Sequence, residues 1–248
     1  MPLKLRQQKF AGLQTIVAQS GTSPTIPVVL CHGYGASGED LVSLAEPICD
    51  WLEESASHFQ FVFPAAPLSP PELATYGGRA WWAINMTKLL SASQTGTFSE
   101  LHEVEPPGIA EATQQLSNCV NEVLAATGNV KAFALGGFSQ GAMVTMNAAL
   151  RSSIRAPELL VQFSGTLLCR PKWQAELAAG KLAKTFVLQS HGRIDTVLPF
   201  SSAEALRDML ASENVSHQFI AFDGPHTIPM EAMMQLAVKL KSLATSHQ

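Results

Sequence analysis

Residues Gly137-Phe138-Ser139-Gln140-Gly141 spell G-x-S-x-G. Five residues carry little as a bare pattern; their setting carries more. An apolar run at 130–135 leads into them and a helical run at 142–150 leaves them, the strand–turn–helix context that lifts a serine hydroxyl above the end of a sheet. Such a serine sits in a strained turn. Its flanking glycines remove side chains that would collide where the backbones pack, and the helix N-terminus beneath favours developing negative charge. The chemistry implied is nucleophilic attack by Ser139 on a carbonyl. The bland alternative is a glycine-rich turn with a passive serine.

A serine hydroxyl needs a base within hydrogen-bond reach, and the base needs a partner that fixes its tautomer. Downstream of Ser139 the histidines are His191, His217, His226 and His247. His217 opens an apparent strand, His247 is in the C-terminal tail, and His191 directly follows a strand. His226 lies in Asp223-Gly224-Pro225-His226-Thr227, a turn between the last strand and the last helix, where a base facing a sheet edge belongs. His226 is the expected general base. Asp195 follows the strand at 185–188 and is the expected orienting acid. Asp223 is its competitor, but two groups on one tight turn rarely leave the imidazole free to face a distant serine. Asp208 falls on a helix. The chain order Ser, Asp, His is that of α/β-hydrolases.

These residues require a scaffold that brings strand ends together. Apolar runs at 25–30, 59–63, 130–135, 159–163, 185–188 and 217–222 read as strands, mostly apolar throughout, as parallel strands covered on both faces are. An antiparallel hairpin at 5–18 is expected at one edge. Helical spacing recurs over Leu41–Leu52, over Ile109–Val123 with Gly128 as a stop, and at 142–150, 201–210 and 229–243. The alternation predicts a mostly parallel central sheet with helices on both faces, in a single domain over 1–248; together with the serine elbow and the Ser, Asp, His order, the expectation is an α/β-hydrolase fold. One stretch interrupts it. Residues 65–106 hold three prolines by position 71, the pair Trp81-Trp82 and a polar run near 91–99. We expect this segment to be an excursion over the active site. Trp81, Trp82 and the pair Leu89-Leu90 are candidates to line an apolar acyl pocket there, or else to pack the excursion onto the sheet.

Bulk properties narrow the classes. The 248 residues are 46% hydrophobic and 15% charged, with a formal net charge of -4, which favours a globular core over disorder and points to neither nucleic acid nor an anionic membrane. The N-terminus is charged, with Pro2 as its second residue and no long apolar run behind it. A signal peptide and a transmembrane segment are therefore not expected. Cys31, Cys49, Cys119 and Cys169 form no C-x-x-C pair. Free thiols in a cytoplasmic protein are the reading, with an intramolecular disulfide left open. No metal box is seen; neither metal nor organic cofactor is expected, and a monomer or weak homodimer is.

Four segments, Leu30-Cys31-His32-Gly33-Tyr34-Gly35, Gly137–Gly141, His191-Gly192-Arg193-Ile194-Asp195-Thr196-Val197-Leu198-Pro199 and Gly224-Pro225-His226-Thr227-Ile228, resemble in order and spacing the phospholipase/carboxylesterase family, whose best-known members are acyl-protein thioesterases. The resemblance covers about residues 25–244. It implies an oxyanion hole made by the backbone N–H groups of Tyr34 and Gln140; independently, Gly33 and Gly35 permit a sharp turn that aims an N–H at the site. Two departures stand out. Ala142 replaces a second glycine common after the elbow. In Arg79-Ala80-Trp81-Trp82-Ala83, Ala83 takes a position the family usually gives to aspartate. The substrate expected is a small-molecule ester or acyl thioester. Short- to medium-chain carboxylic esters lead, and acyl-protein thioesters and lysophospholipids enter through the resemblance. A peptidase or amidase on the same fold and a catalytically idle binding module are the alternatives.

Overall fold

The computed structural model describes residues 3–95 and 97–246; Pro2 and His247 lie outside them. Eight strands form one sheet in the order β1-β2-β4-β3-β5-β6-β7-β8. The hairpin β1 (Lys4–Phe10) and β2 (Leu13–Gln19) makes one edge and is antiparallel, and β2 joins β4 (Phe59–Pro64) antiparallel. From β4 onward every pairing is parallel, through β3 (Ile26–Cys31), β5 (Ala134–Phe138), β6 (Leu159–Phe163), β7 (Phe186–Gly192) and β8 (His217–Phe222). This is the sheet of an α/β-hydrolase.

The strands look uniformly apolar because both faces are covered, yet their side chains still alternate. Along β3, Val29 and Cys31 join one core, and Ile26, Val28 and Leu30 join the other. The first core is roofed by α4 (Ile109–Thr127), α5 (Gln140–Arg151), α6 (Arg170–Ala178) and α7 (Phe200–Ser212). The second is roofed by α1 (Ala45–Leu52) and α8 (Met230–Ser246). Gly128 ends α4 with φ 75°, a conformation that glycine adopts without a Cβ penalty.

Two strands differ from the sequence expectation, each for a physical reason. β5 starts at Ala134 rather than 130, since Lys131 and Phe133 spend their N–H groups on the Thr25 carbonyl and the Glu158 carboxylate. It then runs through Gly136 and Gly137. A Cβ at Gly136 would meet Val161 Cβ at 2.4 Å, and one at Gly137 would meet the Cys31 carbonyl oxygen at 2.2 Å. These glycines mark close backbone approach inside a strand, not its end. β7 continues past Leu188 to Gly192 because polar Gln189 and Ser190 pair on both sides, His191 pairs with β8, and all three are fully buried.

The segment 65–106 carries structure of its own: α2 (Pro71–Ala74), α3 (Met86–Thr95) and a 3-10 turn at Phe98–His102. Asn85 starts α3, its Oδ1 accepting from the Lys88 N–H at 2.9 Å. Where the segment rejoins the body it is tied down by ion pairs. Glu105 pairs with Arg151 and Lys172, Glu103 pairs with Arg170, and His102 hydrogen-bonds Ser202 of α7 at 2.8 Å. No helix among the described residues is long and apolar enough to cross a membrane.

Candidate active site

Ser139 occupies the turn between β5 and α5 with φ 55° and ψ -119°, a conformation costing a non-glycine residue about 1–3 kcal/mol. The surroundings hold it there. Its N–H donates to the Phe163 carbonyl at 2.8 Å. A Cβ at Gly141 would lie 2.0 Å from the Cys31 carbonyl oxygen, so α5 leaves the turn pressed against β3. Ala142, in place of the second glycine, fits because Gly165 faces it; a Cβ at Gly165 would meet the Ala142 methyl at 2.8 Å.

The loops after β7 and β8 converge on this turn. Ser139 Oγ lies 2.9 Å from His226 Nε2, and His226 Nδ1 lies 2.6 Å from Asp195 Oδ2. The two loops are joined backbone to backbone: Arg193 N–H donates to the Phe222 carbonyl at 2.8 Å and Ile194 N–H to that of Gly224. Gly192 allows it, since a Cβ there would sit 2.2 Å from the Gly224 oxygen. Asp195 Oδ1 accepts from the N–H groups of Val197 and Leu198 at 2.8 and 2.9 Å. Burial raises the Asp195 pKa, but hydrogen bonds from His191 and His226 outweigh it and hold the carboxyl well below the usual carboxylate range. The competitor Asp223 has a side chain 93% exposed and, among the described residues, pairs with Arg193. Asp208 pairs with Arg207 on α7, and His217 bonds the Val215 carbonyl at 2.9 Å.

Gln140 directly follows Ser139, and Tyr34 directly follows Gly33. Gly33 packs directly on the turn, where a Cβ would meet Ser139 Cβ at 3.3 Å and the Phe138 ring at 3.2 Å. Gln140 opens α5, so its N–H is one of the helix's unpaired first-turn donors. His32 braces this corner: its Nδ1–H donates to the Gly33 carbonyl at 2.8 Å and its Nε2 accepts from the Ala66 N–H at 3.0 Å. Burial lowers the His32 pKa, in keeping with an Nε2 that acts as an acceptor.

The two tryptophans divide their work. Trp81 was a candidate for the pocket lining, but it is buried with its indole N–H on the His32 carbonyl at 3.0 Å, and it does not line the cavity. Trp82 does. A cavity of about 450 Å³ is walled by Trp82, Leu89, Phe98, Met143, Leu168 and Leu198, among others. Met143 lies one helical turn beyond Ser139, and Leu198 N–H bonds Asp195, so the cavity adjoins the site. Leu89 lines it while Leu90 faces solvent, and Ala83 stands at its wall, where an aspartate would have put a charge. Sequence reasoning missed Met143, Phe98 and Leu198, whose types signal only core. It also missed the Gln140 side chain, which bonds the Trp81 N–H and the Trp82 carbonyl. No metal-binding cluster occurs among the described residues.

The family model described as phospholipase/carboxylesterase matches residues 13–244. The chain belongs to the phospholipase/carboxylesterase family. It is 30% identical to acyl-protein thioesterase 1 of Eremothecium gossypii over 199 residues, 79% of this chain and 78% of that one. It is 27% identical to a probable carboxylesterase of Oryza sativa subsp. japonica, over 89% of this chain and 79% of that one. Among solved structures, esterase PE8 superposes with a TM-score of 0.74 at 24% identity, covering 98% of this chain and all of that one. Acyl-protein thioesterase 2 of Zea mays gives 0.68 at 19% identity, covering 93% and 98%. Membership makes the chain a carboxylic ester hydrolase.

Proposed function

We propose that this chain hydrolyses carboxylic esters and thioesters through an acyl-enzyme on Ser139, with His226 as general base and Asp195 as the group that orients it. The observation that carries the reading is His226 bridging Ser139 Oγ at 2.9 Å and Asp195 Oδ2 at 2.6 Å. Ser139 Oγ attacks the carbonyl carbon as its proton passes to His226 Nε2. The tetrahedral oxyanion is held by the Tyr34 and Gln140 N–H groups, each such donor being worth about 3–4 kcal/mol in the transition state. Collapse expels the alcohol or thiol, which takes the proton from His226. Water, deprotonated by His226, then releases the carboxylic acid and regenerates Ser139.

The segment 65–106 covers this site and supplies the acyl pocket. A volume of about 450 Å³ lies within the roughly 300–1,000 Å³ range of small-molecule sites. Its apolar lining suits short- to medium-chain acyl groups. The acyl-protein thioesterases among the relatives make thioesters the second substrate arm. We place the enzyme in the cytoplasm, where its thiols stay reduced: Cys31, Cys49, Cys119 and Cys169 are all unpaired. Burial, the leading cause at each, pushes Cys119 up to about 12 and Cys49 and Cys169 to about 11.

The test is a panel of p-nitrophenyl esters of increasing chain length, with acyl thioesters and aminoacyl amides alongside, and labelling by a fluorophosphonate. Ester or thioester turnover with label on Ser139 is expected. Turnover of amides alone selects a peptidase. Neither turnover nor label selects a binding module.

A further inference from the structure

We propose that His191 is a positioning residue for the reaction: its Nε2–H fills the last acceptor site of the Asp195 carboxylate and fixes the orientation that His226 meets. The inference rests on Asp195 being the orienting acid.

His191 is the penultimate residue of β7 and is fully buried, with its ring against Phe200. Its Nε2 lies 2.9 Å from the Leu198 carbonyl oxygen and 3.2 Å from Asp195 Oδ2. Both neighbours accept and neither donates, so the proton resides on Nε2 and is shared between them. Nδ1 is buried and bonds no group among the described residues, which agrees with a ring whose one N–H is already committed. A carboxylate offers about four acceptor sites. At Asp195 the Val197 and Leu198 N–H groups take those of Oδ1, His226 takes one of Oδ2, and His191 takes the other. Rotation of the carboxylate breaks several bonds at once. Leu198 both donates to Asp195 and accepts from His191, so the 195–198 turn closes around the imidazole.

A simple packing role for His191 makes no use of the shared proton. The placement does: it stabilises the ionised carboxylate without offering it a second route of rotation. Charged side chains near this cluster are engaged elsewhere. Arg193 lies over Phe200 and pairs with Asp223; Arg207 lies over Phe219 and pairs with Glu204 and Asp208. His226 is the remaining titratable partner of Asp195. Removing the His191 donor leaves more uncompensated charge on Oδ2. Protonation of the coupled Asp195–His226 pair then becomes easier, and the acid limb of the rate profile moves to higher pH.

The experiment measures kcat, KM and the pH dependence of kcat/KM on p-nitrophenyl butyrate, and of fluorophosphonate labelling, for His191→Leu and His191→Gln. Gln places an amide N–H near the position of the lost Nε2–H; Leu offers none. For His191→Leu, kcat is expected to fall about tenfold or more, as for loss of a hydrogen bond to a charged group, with KM within about twofold and the acid limb raised. His191→Gln restores the limb and most of kcat. If His191→Leu does not fold, His191→Asn replaces it, since its shorter amide falls short of Oδ2. A folded Leu or Asn variant whose acid limb coincides with that of the wild type overturns the proposal, as does a Gln variant that is no better than either. Wild-type protein that takes no fluorophosphonate label on Ser139 refutes the underlying site assignment instead.

Discussion

The backbone N–H of Trp81 donates to the side-chain Oε1 of Gln140 at 2.9 Å, while Gln140 Nε2 donates to the Trp82 carbonyl at 2.8 Å. One buried amide thus ties the 65–106 segment to the first residue of α5. Gln140→Ala would strand a buried N–H and a buried C=O, each costing about 1–3 kcal/mol. We predict a Tm several degrees lower and a kcat reduced at least tenfold on p-nitrophenyl acetate. A lower Tm with unchanged kcat would show that the backbone N–H of Gln140 holds its place without the clamp.

Ser139 carries backbone strain as well as the hydroxyl. Ser139→Ala removes the hydroxyl and keeps the strain, and abolishes turnover with Tm near that of the wild type. Ser139→Gly removes both, because glycine tolerates φ 55°, and is predicted to be inactive with a Tm above that of Ser139→Ala. Calorimetry on the pair decides it; a glycine variant melting below the alanine variant would mean that the turn is not strained.

Asp195→Asn cannot hold the same His226 tautomer or stabilise the imidazolium, and kcat should fall by roughly 10³–10⁴. Asp223→Asn, altering an exposed group paired with Arg193, should stay within about twofold of the wild type on the same ester, as surface changes do. The reverse ranking would make Asp223 the orienter.

His102 titrates in a different window. Burial first, and the Arg170 charge second, lower its pKa to about 4. The unfolded chain, with an ordinary histidine near 6.5, binds more protons between those values. The stability His102 contributes is present above about pH 6.5 and is lost as pH falls towards 4. His32 shifts in the same direction, so His102→Gln should flatten the decline of Tm over that range in part rather than wholly. Melting curves from pH 7 to 4 check this. Equal slopes in the two proteins would remove His102 from the account.

The parts legible in the sequence are those where residue type and chain order carry the constraint. Glycines at 137 and 141 are demanded by contact with the Cys31 carbonyl, and the order of Ser139, Asp195 and His226 follows the order of strand ends. What escaped is set by partners distant in sequence. Gln189, Ser190 and His191 are polar, so the sequence pattern ends β7 four residues before its true end at Gly192. α6 buries only Trp173 and Leu177, too few to draw an apolar stripe. Trp81 and Trp82 are chemically identical neighbours; only the fold shows that one braces His32 and the other faces the cavity.

That division makes Trp82 the place to test the origin of acyl preference. It is 3% exposed, its backbone carbonyl is held by Gln140, and Gly108 packs against its Cβ, where an added methyl would approach to 3.2 Å. The backbone of Trp82 is therefore fixed independently of its ring, so truncation should open space without moving the site. Trp82→Ala is expected to cost about 3–5 kcal/mol of stability, as large aromatic truncations in cores do. Its effect on specificity is separate from that loss. With the wall removed, kcat/KM for long p-nitrophenyl esters should rise relative to the acetate by about tenfold, the discrimination available from one to two buried methylenes. Measured below the variant's Tm, a lower stability with an unchanged chain-length profile would reduce Trp82 to packing. The determinant would then lie with Met143 or Phe98 on the remaining walls, and the same panel on Phe98→Ala would show it.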